Sequence, residues 1–116
     1  MIVRRSYNFE ASHQLPQHPG KCANLHGHSY RFIVEVFGEL DPVQGLVIDF
    51  WDLDKIVHEA VLDRVDHQHL NELIENPTAE RIAIWIWRQL RPALEGLQSV
   101  ELFEVEGASA LYRGEH

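Results

Sequence analysis

The stretch Lys21–Tyr30, KCANLHGHSY, places the chain's one cysteine four residues ahead of a His-Gly-His. Side chains alternate along an extended strand, so His26 and His28 point to one face. Two imidazoles side by side suit a divalent ion. Zinc takes neutral imidazole nitrogens in a tetrahedron, and a catalytic site keeps one position open. A third ligand must come from a neighbouring element. His13 closes F-x-A-S-H just upstream, with the parity of Phe9 and Ala11. Three ligands on two paired strands make the rigid frame that a metal site needs. With a single cysteine, a closed thiolate-rich site is excluded. His18, His58 and His116 fall in a loop, on an exposed helix face and at the terminus, and are expected to be surface residues.

Cys22 has two readings. A free cysteine is most often a small buried hydrophobe. Here it sits in a Pro/Gly-flanked loop beside Lys21, and a neighbouring ammonium favours the thiolate, the form that acts as base or nucleophile. A second polar cluster is VDHQHLN, Val65–Asn71. Asp66 can orient and charge an adjacent imidazole as the carboxylate of a triad does, although a solvated loop with a capping Asp also fits. His67 and His69 compete for that role. In VELFEVEG, Glu104 and Glu106 share the parity of the apolar Val100 and Leu102. A carboxylate on a buried face is costly unless it has a partner. Glu106, beside the turn, reads as solvated.

These groups need elements to hold them. Residues 2–13 alternate as a strand, with Tyr7, Phe9, Ala11 and His13 on one face. Pro16, Pro19 and Gly20 mark a loop. Residues 25–38 form a second strand in which Tyr30, Phe32, Val34 and Val36 continue the parity of the two histidines. After the DPVQG turn and a short apolar stretch, 46–50, Asp52 is expected to cap a helix striped by Leu53, Ile56, Val57, Ala60 and Val61. Residues 65–76 are expected to be loop. Asn76-Pro77-Thr78 opens a second helix, with proline pre-set for its first turn. Its stripe is Ala79, Ile82, Ala83, Ile86 and Leu90, and it should stop near Pro92. Residues 98–106 and 109–113 read as two strands around Gly107. The order β-β-α-α-β-β predicts an α+β fold, with a four-stranded antiparallel sheet and two helices on one face.

Bulk properties narrow the function. A chain of 116 residues predicts one domain, 1–116. Its hydrophobic content of 45% is ordinary for a globular protein. A formal net charge of −8 and a pI near 5.4 argue against nucleic acid or an anionic membrane as the main partner. No stretch has the pattern of a signal peptide or a membrane span, and the lone cysteine fits a reducing, cytoplasmic setting.

Taken in order, FEASHQLP, KCANLHGHSY, GLVIDFWDL, VDHQHLN, ENPTAE and the final E-x7-Y-R-G cover nearly the whole chain. The set resembles the 6-pyruvoyl-tetrahydropterin synthase / 6-carboxytetrahydropterin synthase family. The Cys-x3-His-Gly-His spacing is more similar to the bacterial 6-carboxy-5,6,7,8-tetrahydropterin synthases of queuosine and 7-deazaguanine biosynthesis. The resemblance implies that His13, His26 and His28 hold zinc. It implies that Cys22 is the catalytic thiol, with His67 as its acid/base partner oriented by Asp66, which selects His67 over His69. Counting back eight residues from Tyr112, it implies that Glu104 anchors the pterin, and that Thr78 helps hold it. The family often has E-T where this chain has Glu104-Val105, and a leucine where it has Val65.

The implied substrate is 7,8-dihydroneopterin triphosphate. The implied products are 6-carboxy-5,6,7,8-tetrahydropterin, acetaldehyde and triphosphate. Lys21, Arg4, Arg5 and Arg113 are candidates for the triphosphate. A T-fold is also implied, in which trimers close their sheets into a barrel, often pair into hexamers, and build active sites at subunit interfaces. Two alternatives stand beside this reading: a 6-pyruvoyl-tetrahydropterin synthase, which eliminates triphosphate without breaking a carbon–carbon bond, and a non-catalytic zinc- or pterin-binding module.

Overall fold

A computed structural model of the chain describes residues 1–115; His116, expected at the surface, lies outside the described residues. Strand β1 (Ile2–His13) pairs antiparallel with β2 (His26–Phe37), and β2 pairs antiparallel with β4 (Leu97–Val105), which turns back into β5 (Ala108–Tyr112). Gly107 makes that last turn with φ +87°, a left-handed conformation that glycine adopts without a Cβ clash. Between β2 and β4 run two helices. The first, α1 (Phe50–Val57), continues through a π-helical stretch (His58–Leu62) into a last turn (Asp63–Val65). The second is α2 (Ala79–Leu90).

The sheet corrects one expectation. Among the described residues it has five strands, ordered β3-β1-β2-β4-β5, and it is mixed rather than purely antiparallel. The extra strand, β3 (Gln68–His69), lies in the segment expected to be loop and pairs parallel with Ala11 and Ser12 of β1. Two residues are too few to show an alternation, so pattern reading had nothing to detect.

Alternation explains the layering. Tyr7, Phe9 and Ala11 of β1 and Tyr30, Phe32, Val34 and Val36 of β2 are buried. They pack with Leu53, Val57 and Val61 of the first helix and with Ile82, Ala83, Ile86 and Leu90 of α2. Phe9 stacks on Tyr30 with ring centroids 4.9 Å apart. The opposite sheet face carries Arg4, Glu10, Ser29 and Arg31, all at least partly exposed.

Helix starts differ slightly from expectation. Asp49, not Asp52, caps α1, its side chain accepting a hydrogen bond from Trp51 N–H at 2.8 Å. Thr78 caps α2 by accepting from Arg81 N–H, so Pro77 precedes the cap instead of opening the first turn. Arg5 and Tyr7 both donate to the Asp54 carboxylate, at 3.1 and 2.7 Å. That bond set braces the first helix against β1.

Candidate metal centre and catalytic cleft

The β1–β2 register builds the centre. His13 stands directly opposite His26, and Ala11 opposite His28. Alanine at position 11 leaves the room that a third imidazole needs. The rings of His13, His26 and His28 lie 4.5–5.0 Å apart, centroid to centroid. One nitrogen from each falls within 4.8 Å of the others.

Hydrogen bonds fix how these rings face. His13 Nδ1 lies 2.8 Å from the Pro77 carbonyl and His26 Nδ1 lies 2.7 Å from the Asn24 carbonyl. A carbonyl only accepts, so both Nδ1 atoms carry the proton. The two Nε2 atoms, 2.9 Å apart, then meet lone pair to lone pair when both rings are neutral. Burial pushes the pKa of His13 below its ordinary value, opposed by the Pro77 carbonyl and Glu104, which keeps that ring neutral. The third nitrogen, His28 Nε2, is buried without a hydrogen-bond partner. Converging lone pairs and an orphaned buried nitrogen fit a cation between them. Tetrahedral bonds of about 2.0–2.1 Å would hold the nitrogens roughly 3.3 Å apart, a small opening of the 2.9 Å between His13 and His26. Imidazoles tied through the far nitrogen to a carbonyl are the usual outer support of such ligands.

Glu104 reaches the same place from β4. Its Oε1 lies 3.2 Å from His13 Nε2 and 3.6 Å from His28 Nε2. The costly carboxylate on the apolar face therefore has neighbours, and they are the histidines.

The other residues expected at the site are arranged around this centre. Asp66 Oδ2 lies 3.1 Å from His67 Nδ1, and its Oδ1 accepts from Glu10 N–H at 2.9 Å. These bonds, the Glu10 amide first, hold the Asp66 carboxyl below the usual carboxylate range. His67 adopts φ 61°, and its side chain is 76% exposed, free to meet a substrate. His69 is engaged instead with Ser12, Nδ1 to Oγ 3.0 Å. One cleft is lined by Glu10, Ser12, His28, Ser29, His67 and His69, so a histidine of the triad and the exposed His67 share a wall. Cys22 is half-buried and free in a short 3-10 turn, Lys21–Ala23. The turn is tied to Leu15 N–H through the Cys22 carbonyl at 2.8 Å. Among the described residues the thiol makes no hydrogen bond to the triad or to His67. Thr78 spends one lone pair on its helix cap and stands next to Pro77, which orients His13.

Sequence reading missed the supports: the carbonyls of Pro77 and Asn24, and the Asn71 side chain. Asn71 clamps the chain just after His13, accepting from Gln14 N–H and donating to Gln14 O, at 2.8 and 2.9 Å. The Asn of VDHQHLN is the one sequence signal that could have pointed there.

The fold and its centre define a class: an α+β sheet protein with a three-histidine site able to hold a metal ion. The sequence matches the 6-pyruvoyl tetrahydropterin synthase family over residues 2–115. It is 41% identical to the 6-carboxy-5,6,7,8-tetrahydropterin synthase of Synechocystis, covering 96% of this chain and 92% of that one. It is 33% identical to the human 6-pyruvoyl tetrahydrobiopterin synthase, covering 97% and 91%. The solved structure of the Caenorhabditis elegans 6-pyruvoyl tetrahydropterin synthase superposes with a TM-score of 0.91 at 30% identity, covering 99% and 96%. The chain belongs to this family, and it is an enzyme.

Proposed function

We propose that the protein converts 7,8-dihydroneopterin triphosphate and one water to 6-carboxy-5,6,7,8-tetrahydropterin, acetaldehyde and triphosphate, on the route to queuosine and other 7-deazaguanines. The carrying observation is the trio of imidazole nitrogens aimed at one point, two of them locked by backbone carbonyls. The Synechocystis relative's name supports the carboxy-type product.

His13, His26 and His28 would hold zinc. The bound ion supplies Lewis-acid polarisation of oxygens on the substrate side chain. The chain's own groups do the rest. Glu104 accepts the paired N–H donors of a pterin edge, a bidentate charge-assisted contact. Thr78 helps to hold the ring. Cys22 and His67 move protons at the side-chain carbons, with Asp66 fixing the His67 tautomer by accepting a hydrogen bond from its Nδ1–H. Arg4, Arg5, Lys21 and Arg113 are the candidate triphosphate contacts. Arg4 and Arg5 already pair with Glu35 and Asp54, and the Arg113 charge also acts on Glu35. The setting is the cytoplasm, and the working unit is a trimer-based oligomer with active sites between subunits.

The test is incubation of the zinc-loaded protein with dihydroneopterin triphosphate, followed by mass analysis of the pterin and an acetaldehyde assay. Acetaldehyde with a carboxylated tetrahydropterin is the expected result. A pyruvoyl pterin without acetaldehyde would assign the other activity of the family. An unchanged substrate would leave only a binding module.

A further inference from the structure

Three histidines account for the nitrogen ligands, and a carboxylate oxygen lies beside two of them. Glu104 follows Phe103, which is in register with Arg31 of β2, and shares the parity of the buried Val100 and Leu102. At the register shift between Phe103 and Val105, its carboxylate turns towards the histidines. Oε1 stands 3.2 Å from His13 Nε2 and 3.6 Å from His28 Nε2. Neither contact is a hydrogen bond from His13, whose proton is on Nδ1, and His28 Nε2 remains unpartnered. An anionic oxygen set against nitrogen lone pairs is repulsive by itself. Yet 3.2 and 3.6 Å bracket the roughly 3.3–3.5 Å separating two ligands of one tetrahedral ion with bonds near 2.1 Å. The group that converges within 4.8 Å is confined to the histidines, so the carboxylate borders the triad on its His13–His28 side. Its side chain is 31% exposed, whereas that of His13 is fully buried. It is thus more accessible than His13 or His28, the two nitrogens it borders.

We infer that Glu104 is a displaceable fourth metal ligand, closing the coordination shell when no substrate is bound and leaving it to grip the pterin ring. The inference rests on the metal reading above and extends it. One carboxylate cannot serve both partners at once, so ring binding opens the fourth position. The position becomes available only when a substrate ring is in place to use it. Water is thereby kept from the ion in the resting enzyme.

The experiment uses apoprotein reloaded with Co2+, whose visible absorption reports ligand number and type. Wild type, Glu104→Ala and Glu104→Gln are compared, each checked for folding by circular dichroism. Metal affinity is measured by competition with a chromophoric chelator. The expected result is a loss of affinity of about tenfold or more in Glu104→Ala and an altered Co2+ spectrum. Adding 6-methyl-7,8-dihydropterin, which has the ring but no side-chain oxygen, should shift the wild-type spectrum and leave that of Glu104→Ala unmoved. Equal affinities and identical spectra for wild type and Glu104→Ala would overturn the inference. So would a ring-induced shift of equal size in both. A wild type that takes up no metal sinks the metal reading as well. A wild type that shows the Glu104-dependent shift yet forms no tetrahydropterin sinks only the proposed reaction.

Discussion

At the residue scale, the centre separates holding from reacting. His13 and His26 are fixed through their Nδ1 atoms by carbonyls, whereas among the described residues the Cys22 thiol makes no hydrogen bond to them. Replacing His28 by alanine should therefore abolish stoichiometric metal binding, measured by elemental analysis of dialysed protein. Replacing Cys22 by alanine should leave metal content intact and remove turnover. Full activity in Cys22→Ala would contradict the thiol's role. Asp66 adds a graded case. Its carboxylate holds the His67 ring and accepts from the Glu10 amide. Asp66→Asn should lower kcat about 100-fold or more, the usual scale of acid–base assistance, with metal affinity unchanged. A drop in metal content would place Asp66 in the wrong role.

At the element scale, helices reach the site through their starts. Thr78 caps α2 and adjoins Pro77, the carbonyl that orients His13. Thr78→Ala should cost about 1 kcal/mol of stability, read by chemical denaturation. Thr78→Asp restores a cap acceptor without the hydroxyl. Stability should return while KM for the pterin stays raised, which distinguishes capping from substrate contact. The first helix is braced by Tyr7 and Arg5 on Asp54. Tyr7→Phe should cost about 1.5–3 kcal/mol, as for a hydrogen bond to a charged group. Hydrogen bonding from Arg5, then from Tyr7, holds the Asp54 carboxyl below its usual value. A depressed carboxylate stabilises the fold above its unfolded pKa, and that contribution fades as pH falls through the folded value. The stability gap between wild type and Asp54→Asn should be constant above about pH 4 and shrink below it. A gap that widens on acidification would refute the brace.

At the scale of the whole molecule, the sheet ends in β5 on one side and in two-residue β3 on the other. Among the described residues, most of β1 beyond Ala11 and Ser12 has no partner on that side. Open edges are generally paired, covered or blunted. Closure of several sheets into a barrel would pair both, in keeping with a trimer or a pair of trimers. Sedimentation equilibrium should return a mass three or six times that of the 13.5 kDa chain; a monomer at micromolar concentration would remove the barrel and the interfacial site together.

Local pattern was enough for much of this. The alternation of Tyr7, Phe9, Ala11 and His13 and that of His26 to Val36 carried both central strands, because period-two burial is written residue by residue. It also put three imidazoles on one face, and the helical stripes on α1 and α2 followed in the same way. The cap of α1 shifted from Asp52 to Asp49, since either aspartate could accept from the backbone and the choice depends on where the chain turns against the sheet. Only the tertiary structure decided the rest. The Pro77 and Asn24 carbonyls, the two-residue strand and the Glu104 oxygen beside His13 come from contacts between distant segments. A sequence lists donors and acceptors, but which of them meet depends on how separate elements pack, and no single segment contains that distance.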